Sequence, residues 1–361
     1  MLYSFYQIII TIKYGSYKSF HLLTQTTKGC TMIKLAIIGT NWITEKFIDA
    51  AIQTNKYQLV AIYSRDVNKA KIFAEKYHAR HFFDNLLRLA NQPNIDVVYI
   101  ASPNSLHFSQ AKLMLEHGKD VICEKPLTSN YQQTKALIDI AEHNQRIIFE
   151  ALKTYYLPNY QLIKSYLPKL GKIRKVLLNY CQYSSRYDSY LNGNNPNTFN
   201  PIFSNGSLMD IGIYPLSFGL SLWGQPQQFY ATSSLLASGV DAHGSVLCNY
   251  NDFDMIIWHS KVTNSYISSE IQGENGALVI DHLSTCHQVT FHPHQGEEKI
   301  ISITQQSNEL YYEALEFAKL YKQRTIDHQG IGLSLLASSM LNKIRKQIGV
   351  KYPADNFEIK E

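Results

Sequence analysis

The chain has 361 residues, 45% hydrophobic and 17% charged, with a formal net charge of +5. That length exceeds what one hydrophobic core usually serves, so two domains are expected. The small charge, with no run of Lys and Arg, argues against a nucleic-acid partner, and no stretch of ~18 apolar residues is present to span a membrane.

The first 31 residues read as an N-terminal extension, disordered or arising from a start codon placed upstream of Met32, with a cleaved leader as the alternative. From residue 33 strand and helix patterns alternate. IKLAIIG (33–39) is a continuous apolar run ending in Gly, and residues 42–54 read as a helix. YQLVAIYS (57–64) is the second strand. Residues 66–77 form an amphipathic helix with Ala70, Phe73, Ala74 and Tyr77 at helical spacing. IDVVYIAS (95–102) is a buried strand, followed by a helix from Ser105 to His117 that Gly118 ends. DVICE (120–124), a helix over 130–144 and RIIFEA (146–151) complete the half. Repeated strand–helix units predict a parallel, doubly wound sheet of the Rossmann type over 32–151.

Beyond residue 152 the rhythm changes. A helix (158–168) leads to a long strand (176–185), a loop rich in Asn, Gly and Pro (191–206) and a helix over 207–223. Strands follow at 228–236, 244–250, 254–262 and 266–272; the turn GENG (273–276) and ALVID (277–281) complete a hairpin. Helices over 308–323 and 330–347 close the chain. The pattern predicts an α/β domain over 152–361 with an open, mostly antiparallel sheet.

The five cysteines, Cys30, Cys123, Cys181, Cys248 and Cys286, are odd in number, far apart and without a Cys-x-x-Cys pair. They predict a reducing, cytoplasmic setting, no disulfide framework and no metal site.

Five segments carry chemistry. The turn Gly39-Thr40-Asn41-Trp42-Ile43 joins a strand to a helix, where a pyrophosphate rests on amide groups. The full fingerprint is Gly-x-Gly-x-x-Gly; here Asn41 and Thr44 fill its second and third positions, and Asn tolerates left-handed angles. At the end of the second strand stand Ser64 and Arg65, with Asp66 one step later. An Arg there suits a 2′-phosphate, which favours NADP and leaves NAD possible. Ser102, Pro103 and Asn104 follow the next buried strand, Asn104 as a helix cap, with His107 one turn inside. In Glu124-Lys125-Pro126 the lysine stands at the carboxyl end of a strand, facing the ligand crevice. Finally, Asp210 and Tyr214 lie four apart on a helix and share a face. A phenol whose pKa a nearby cation lowers is a good acid/base for alcohol–carbonyl exchange, and Lys125 is the candidate cation.

Together and in this order, the segments resemble the glucose-fructose oxidoreductase / inositol dehydrogenase / MocA (Gfo/Idh/MocA) family. The resemblance runs from about Met32 to the C-terminus. It implies a dinucleotide held by the segments from Gly39 to Glu124-Lys125, and catalysis by Lys125 and Tyr214 with Asp210 in support. It also implies a homo-oligomer, dimer or tetramer, formed through the C-terminal sheet. Many members carry His where this chain has Tyr214; the form Asp-x-Gly-x-Tyr looks like the glucose-fructose oxidoreductase and dihydrodiol dehydrogenase branches. Asn41 departs from the usual Gly, and Lys153 stands in a segment that faces substrate in relatives. The expected function is NAD(P)-dependent hydride transfer at a hydroxyl or carbonyl of a small polar substrate, a sugar, polyol or diol. Two alternatives stay open: a hydrolase or lyase using bound NAD transiently, and a non-catalytic dinucleotide sensor.

Overall fold

The structure, a computed structural model, describes residues 32–357; the expected extension over 1–31, with Cys30, lies outside the described residues. Two sheets organise the chain. The first is built from β1 (Ile33–Ile38), β2 (Tyr57–Tyr63), β3 (His81–Phe83), β4 (Val97–Ile100), β5 (Asp120–Glu124) and β6 (Ile148–Ala151). Their order is β3-β2-β1-β4-β5-β6, all parallel. This is the expected doubly wound fold, with its helices α1 (Trp42–Gln53), α2 (Val67–Lys76), α3 (Leu86–Ala90), α4 (Asn104–Glu116) and α5 (Tyr131–His143). The continuous apolar runs of β1 and β4 are buried because helices cover both faces. β3 and α3 were not expected: three and five residues are too short to show a period.

The second sheet is larger. Along the chain come α6 (Pro158–Tyr166), β7 (Ile173–Cys181), α7 (Tyr187–Leu191) and α8 (Ile213–Trp223). Then follow β8 (Gln228–Leu235), β9 (Asp241–Asn249), β10 (Asp254–Ser260), β11 (Ser269–Gly273), β12 (Gly276–Asp281), β13 (Gln288–Pro293) and β14 (Lys299–Ile300). The order is β14-β13-β12-β11-β7-β10-β9-β8, antiparallel except that β10 runs parallel to β7. β13 and β14 add to the expected hairpin. β7 begins three residues earlier than expected, on Ile173, Arg174 and Lys175.

One face of this sheet packs Val246, Ile257, Ile271 and Leu278 against Leu216 and Leu220 of α8 and Leu341 of α10 (Gln329–Ile348). The opposite face carries a row in register across six strands: Tyr230, Leu247, Ile256, Leu177, Glu270 and Val279, apolar except at Glu270. Tyr230 is 61% exposed and Leu247 41%.

Helix α9 (Leu310–Gln323) comes from late in the chain but packs on the first sheet. Its Leu310, Ala314, Phe317 and Leu320 join Phe47, Tyr99 and Phe149 in one buried cluster. Tyr57 Oη donates to the Ala314 carbonyl at 2.6 Å. Full burial of a residue such as Phe317 stabilises by about 1.5–3 kcal/mol.

Among the described residues no helix is long and apolar enough to cross a membrane, and no group of three His, Cys, Asp or Glu is placed to hold a metal. Cys123, Cys181, Cys248 and Cys286 are free.

Candidate active site

A cleft of about 650 Å³ opens at the carboxyl edge of the first sheet, where open α/β sheets bind ligands. Its walls bring together Asn41, Trp42, Ile43, Ser102, Pro103, Asn104, His107, Glu124, Lys125, Asp210 and Tyr214. Gly39 and Thr40, and Ser64 and Arg65, lie outside this lining, at the ends of the paired strands β1 and β2.

The first turn is tight. Gly39 has φ +119°, and a Cβ there would sit 2.9 Å from the Ala101 carbonyl oxygen, so only glycine fits. Asn41 is not left-handed as expected; it is extended, with φ −111°. Its side chain is the N-cap of α1, accepting from Ile43 N at 3.0 Å and Thr44 N at 3.1 Å. The carboxamide thus uses amides that a pyrophosphate would otherwise meet. Next door, Asp66 is committed to capping α2, accepting from Asn68 N and Lys69 N. Arg65 beside it is exposed.

After β4, Asn104 is not the expected cap. It is the first residue of α4, and its Nδ2 donates to the Ser204 carbonyl at 3.0 Å, joining the two halves of the chain. His107 is fully buried, with Nδ1 2.9 Å from the Pro126 carbonyl oxygen and Nε2 2.9 Å from that of Ser102. A neutral ring donates to one of the two, and burial holds the ring's pKa below its ordinary value against both carbonyls. His107 therefore ties the Ser102 loop to the Lys125-Pro126 loop, whose peptide bond is cis.

Lys125 leaves β5 and points at Asp210. Its Nζ donates to the Asp210 carbonyl at 2.6 Å and to Asp210 Oδ1 at 3.0 Å. Burial favours the neutral amine, but the charges of Asp210 and Glu124 hold its pKa above the usual lysine value. Asp210 takes a second cation on its other oxygen: Lys261 Nζ contacts Oδ2. Burial would raise the Asp210 pKa, yet Lys125 and Lys261 hold it well below the ordinary carboxylate range.

The segment carrying Asp210 is not the expected continuous α-helix. Residues Leu208–Gly212 form a π-turn that runs into α8. Buried polar groups on the second sheet brace it. Asp241 Oδ2 accepts from Leu208 N at 2.6 Å, and His259 Nδ1 pairs with Ser207 Oγ at 2.8 Å. Gly212 lies so close to His259 that a Cβ would stand 3.0 Å from its ring. Burial pushes His259 down to about 3 and Asp241 up to about 6.

Tyr214 follows one turn later and is partly exposed to the cleft. Lys125 Nζ lies 5.1 Å from its ring centroid, over the face, and the Tyr180 ring meets it edge-on at 5.6 Å. The expected lowering of the phenol pKa by Lys125 is not found. Burial, then the negative charge of Glu124, raises it well above the usual value.

Sequence reasoning missed Lys261 and Tyr180, both in the lining, because neither stands in a motif. Lys153, singled out from its position, does line the cleft; it pairs with Glu309, which Lys46 also meets at 2.8 Å. Burial would raise the Glu309 pKa, but the Lys153 charge leads in holding it near 2.

Comparison with known proteins adds an independent line. Residues 33–152 match the oxidoreductase family of Gfo/Idh/MocA type with an NAD-binding Rossmann fold, and residues 164–279 match the Gfo/Idh/MocA C-terminal domain. The chain is 51% identical to an uncharacterized oxidoreductase, YgjR, of Escherichia coli over 91% of its own length and 100% of that protein's. It is 42% identical to the scyllo-inositol 2-dehydrogenase (NADP(+)) IolU of Bacillus subtilis, covering 90% of this chain and 99% of that one. In fold it is similar to KijD10, a 3-ketoreductase from Actinomadura kijaniata solved with NADP and TDP-benzene. The TM-score there is 0.80 at 20% identity, covering 88% of this chain and 98% of that one.

Proposed function

The chain belongs to the Gfo/Idh/MocA family of NAD(P)-dependent oxidoreductases, and on that premise we propose that it oxidises a secondary alcohol of a small cyclic polyol, or reduces the matching ketone, with NADP as the favoured cofactor and NAD the alternative. The observation that carries this reading is the meeting of Lys125, Asp210 and Tyr214, from both halves of the chain, in a cleft at the carboxyl edge of the nucleotide-binding sheet.

The residues present fit a dinucleotide. Gly39 lets the first turn close where any Cβ would collide, and the N-terminus of α1 faces the same cleft with Trp42 and Lys46. Ser102, Pro103, Asn104, His107 and Glu124 shape the wall beyond it, and Arg65 with Ser64 supports a 2′-phosphate. When bound, the nicotinamide supplies or accepts the hydride. Tyr214 exchanges the hydroxyl proton with the substrate oxygen. Lys125 holds that oxygen and stabilises the charge that develops on it. Asp210 fixes the Lys125 ammonium in place.

The apolar row on the open face of the second sheet, from Tyr230 to Val279, supports a homo-oligomer built through that face. Light scattering of a Leu247→Glu protein tests it: a monomer is expected where the parent is a dimer or tetramer. We place the protein in the cytoplasm, consistent with the free thiols of Cys123, Cys181, Cys248 and Cys286.

The test of the activity is an absorbance assay with purified protein, NADP+ or NAD+, and scyllo-inositol, other cyclitols and a trans-dihydrodiol. Reduction of NADP+ with one of them is expected. Tight NADPH binding with no turnover on any alcohol or ketone would sink the dehydrogenase reading in favour of a dinucleotide sensor.

A further inference from the structure

We propose that Lys261 is a positioning residue for Lys125: by occupying one carboxylate oxygen of Asp210, it leaves the Lys125 ammonium a free direction toward the substrate oxygen and balances the Asp210 charge that Lys125 would otherwise neutralise alone. The inference rests on the roles of Lys125 and Tyr214 proposed above.

Lys261 stands one residue past β10, buried at 7% exposure, and its backbone N–H donates to the Ala242 carbonyl at 2.9 Å. That bond fixes the root of the side chain, and its Nζ contacts Asp210 Oδ2. An ammonium has three donors. Lys125 uses two of them on one residue, the carbonyl of Asp210 at 2.6 Å and its Oδ1 at 3.0 Å. The third is left for a ligand in the cleft. Without Lys261, Oδ2 has no cation of its own, and the carboxylate is free to turn both oxygens onto Lys125 and take that third donor.

Charge points the same way. Two ammonium groups share one carboxylate, so the trio carries a net charge of +1. Its side chains are 12% (Lys125), 9% (Lys261) and 28% (Asp210) exposed, which leaves little solvent to screen that charge. The groups around Tyr214 otherwise oppose ionisation. Glu124 on β5, Tyr180 on β7, Asp210 and Glu313 on α9 all raise the cost of a phenolate. Lys261 offsets Asp210 in that set and so assists a negative oxygen at the substrate.

The experiment compares Lys261→Met and Lys261→Arg with the parent protein, using NADP+ and scyllo-inositol across the active pH range. Lys261→Met is expected to lower kcat roughly tenfold, the effect of about one pH unit on the phenol. It should also move the rising limb of the oxidation rate to higher pH, with NADPH affinity unchanged. Lys261→Arg should restore most of the rate and the limb, because it keeps the charge. Parental kcat and pH profile in Lys261→Met would overturn the inference. A second readout needs no substrate: in a crystal structure of Lys261→Met, Asp210 Oδ2 should turn onto Lys125 Nζ. An unchanged Lys125–Asp210 pair would overturn the proposal even if the substrate assignment fails, and a turned carboxylate would support it even then.

Discussion

The side-chain amide of Asn41 donates to the carbonyl of Ala101 at 2.8 Å while its oxygen caps helix α1. One residue therefore ties the first turn of the nucleotide-binding half to the end of β4, and it stands where the dinucleotide-binding fingerprint has its second glycine. Asn41→Ala should destabilise the protein by about 1 kcal/mol, the usual cost of a lost cap. Asn41→Gly should cost only a few tenths of a kcal/mol and bind NADPH at least as tightly, because the amides of Ile43 and Thr44 become available. Urea denaturation and a fluorescence titration check the two parts; weaker NADPH binding by Asn41→Gly would show that the asparagine itself holds the cofactor.

Arg65 is exposed, and its neighbour Asp66 is spent on capping α2. The guanidinium is thus the group available to read a 2′-phosphate. Arg65→Ala should weaken NADPH at least ~10-fold, about 1.4 kcal/mol, and leave NADH unchanged. Parallel titrations decide it; an equal loss for both cofactors would mean that Arg65 stacks on the base and does not read the phosphate.

Tyr214→Phe removes the hydroxyl and keeps the ring that Lys125 and Tyr180 contact. Turnover should fall by ~10²-fold or more, typical of a lost general acid–base group, with NADPH affinity retained. Lys125→Met should lose as much. A Tyr214→Phe enzyme with parental kcat would move the proton transfer to another group.

His259 is held near a pKa of 3 by burial, against an ordinary value of 6.5. The unfolded chain takes up a proton at higher pH than the folded protein does. Its contribution is therefore complete above about 6.5 and declines as pH falls toward 3. Asp241, raised by burial from 3.8 to about 6, acts in the opposite sense: its contribution is present below about 3.8 and is lost as pH rises through 6. His259→Gln removes the first trend and leaves the second. Melting profiles at a series of pH values should show the variant losing less stability on acidification than the parent; identical slopes would place the acid sensitivity elsewhere.

The sequence exposes the fold where chemistry and periodicity coincide. The runs of β1, β4 and β5 are buried on both faces, so their apolar patterns are unambiguous. The candidate site was legible in pieces, because Gly39, Lys125, Asp210 and Tyr214 stand in recognisable order. Its wiring was not. A spacing of four between Asp210 and Tyr214 suggests one turn of α-helix, but contacts from Asp241 and His259 brace a π-turn there. Lys261 and Asp210 are 51 residues apart, and the packing of the π-turn against β10 brings them together. The parallel alignment of β10 with β7 is equally silent in sequence, since neighbouring strands joined by short turns suggest antiparallel pairing throughout.

Helix α9 gives the fold a consequence for how the protein is made. The first sheet is translated by residue 151, yet part of its buried cluster, Leu310, Ala314, Phe317 and Leu320, arrives much later. At ribosomal speeds of roughly 5–20 residues per second, the interval is on the order of ten seconds or more. Through that time the surface around Phe47, Tyr99 and Phe149 lacks its cover. Until a helix made near the end of synthesis docks, the nascent first half presents apolar surface of the kind chaperones bind.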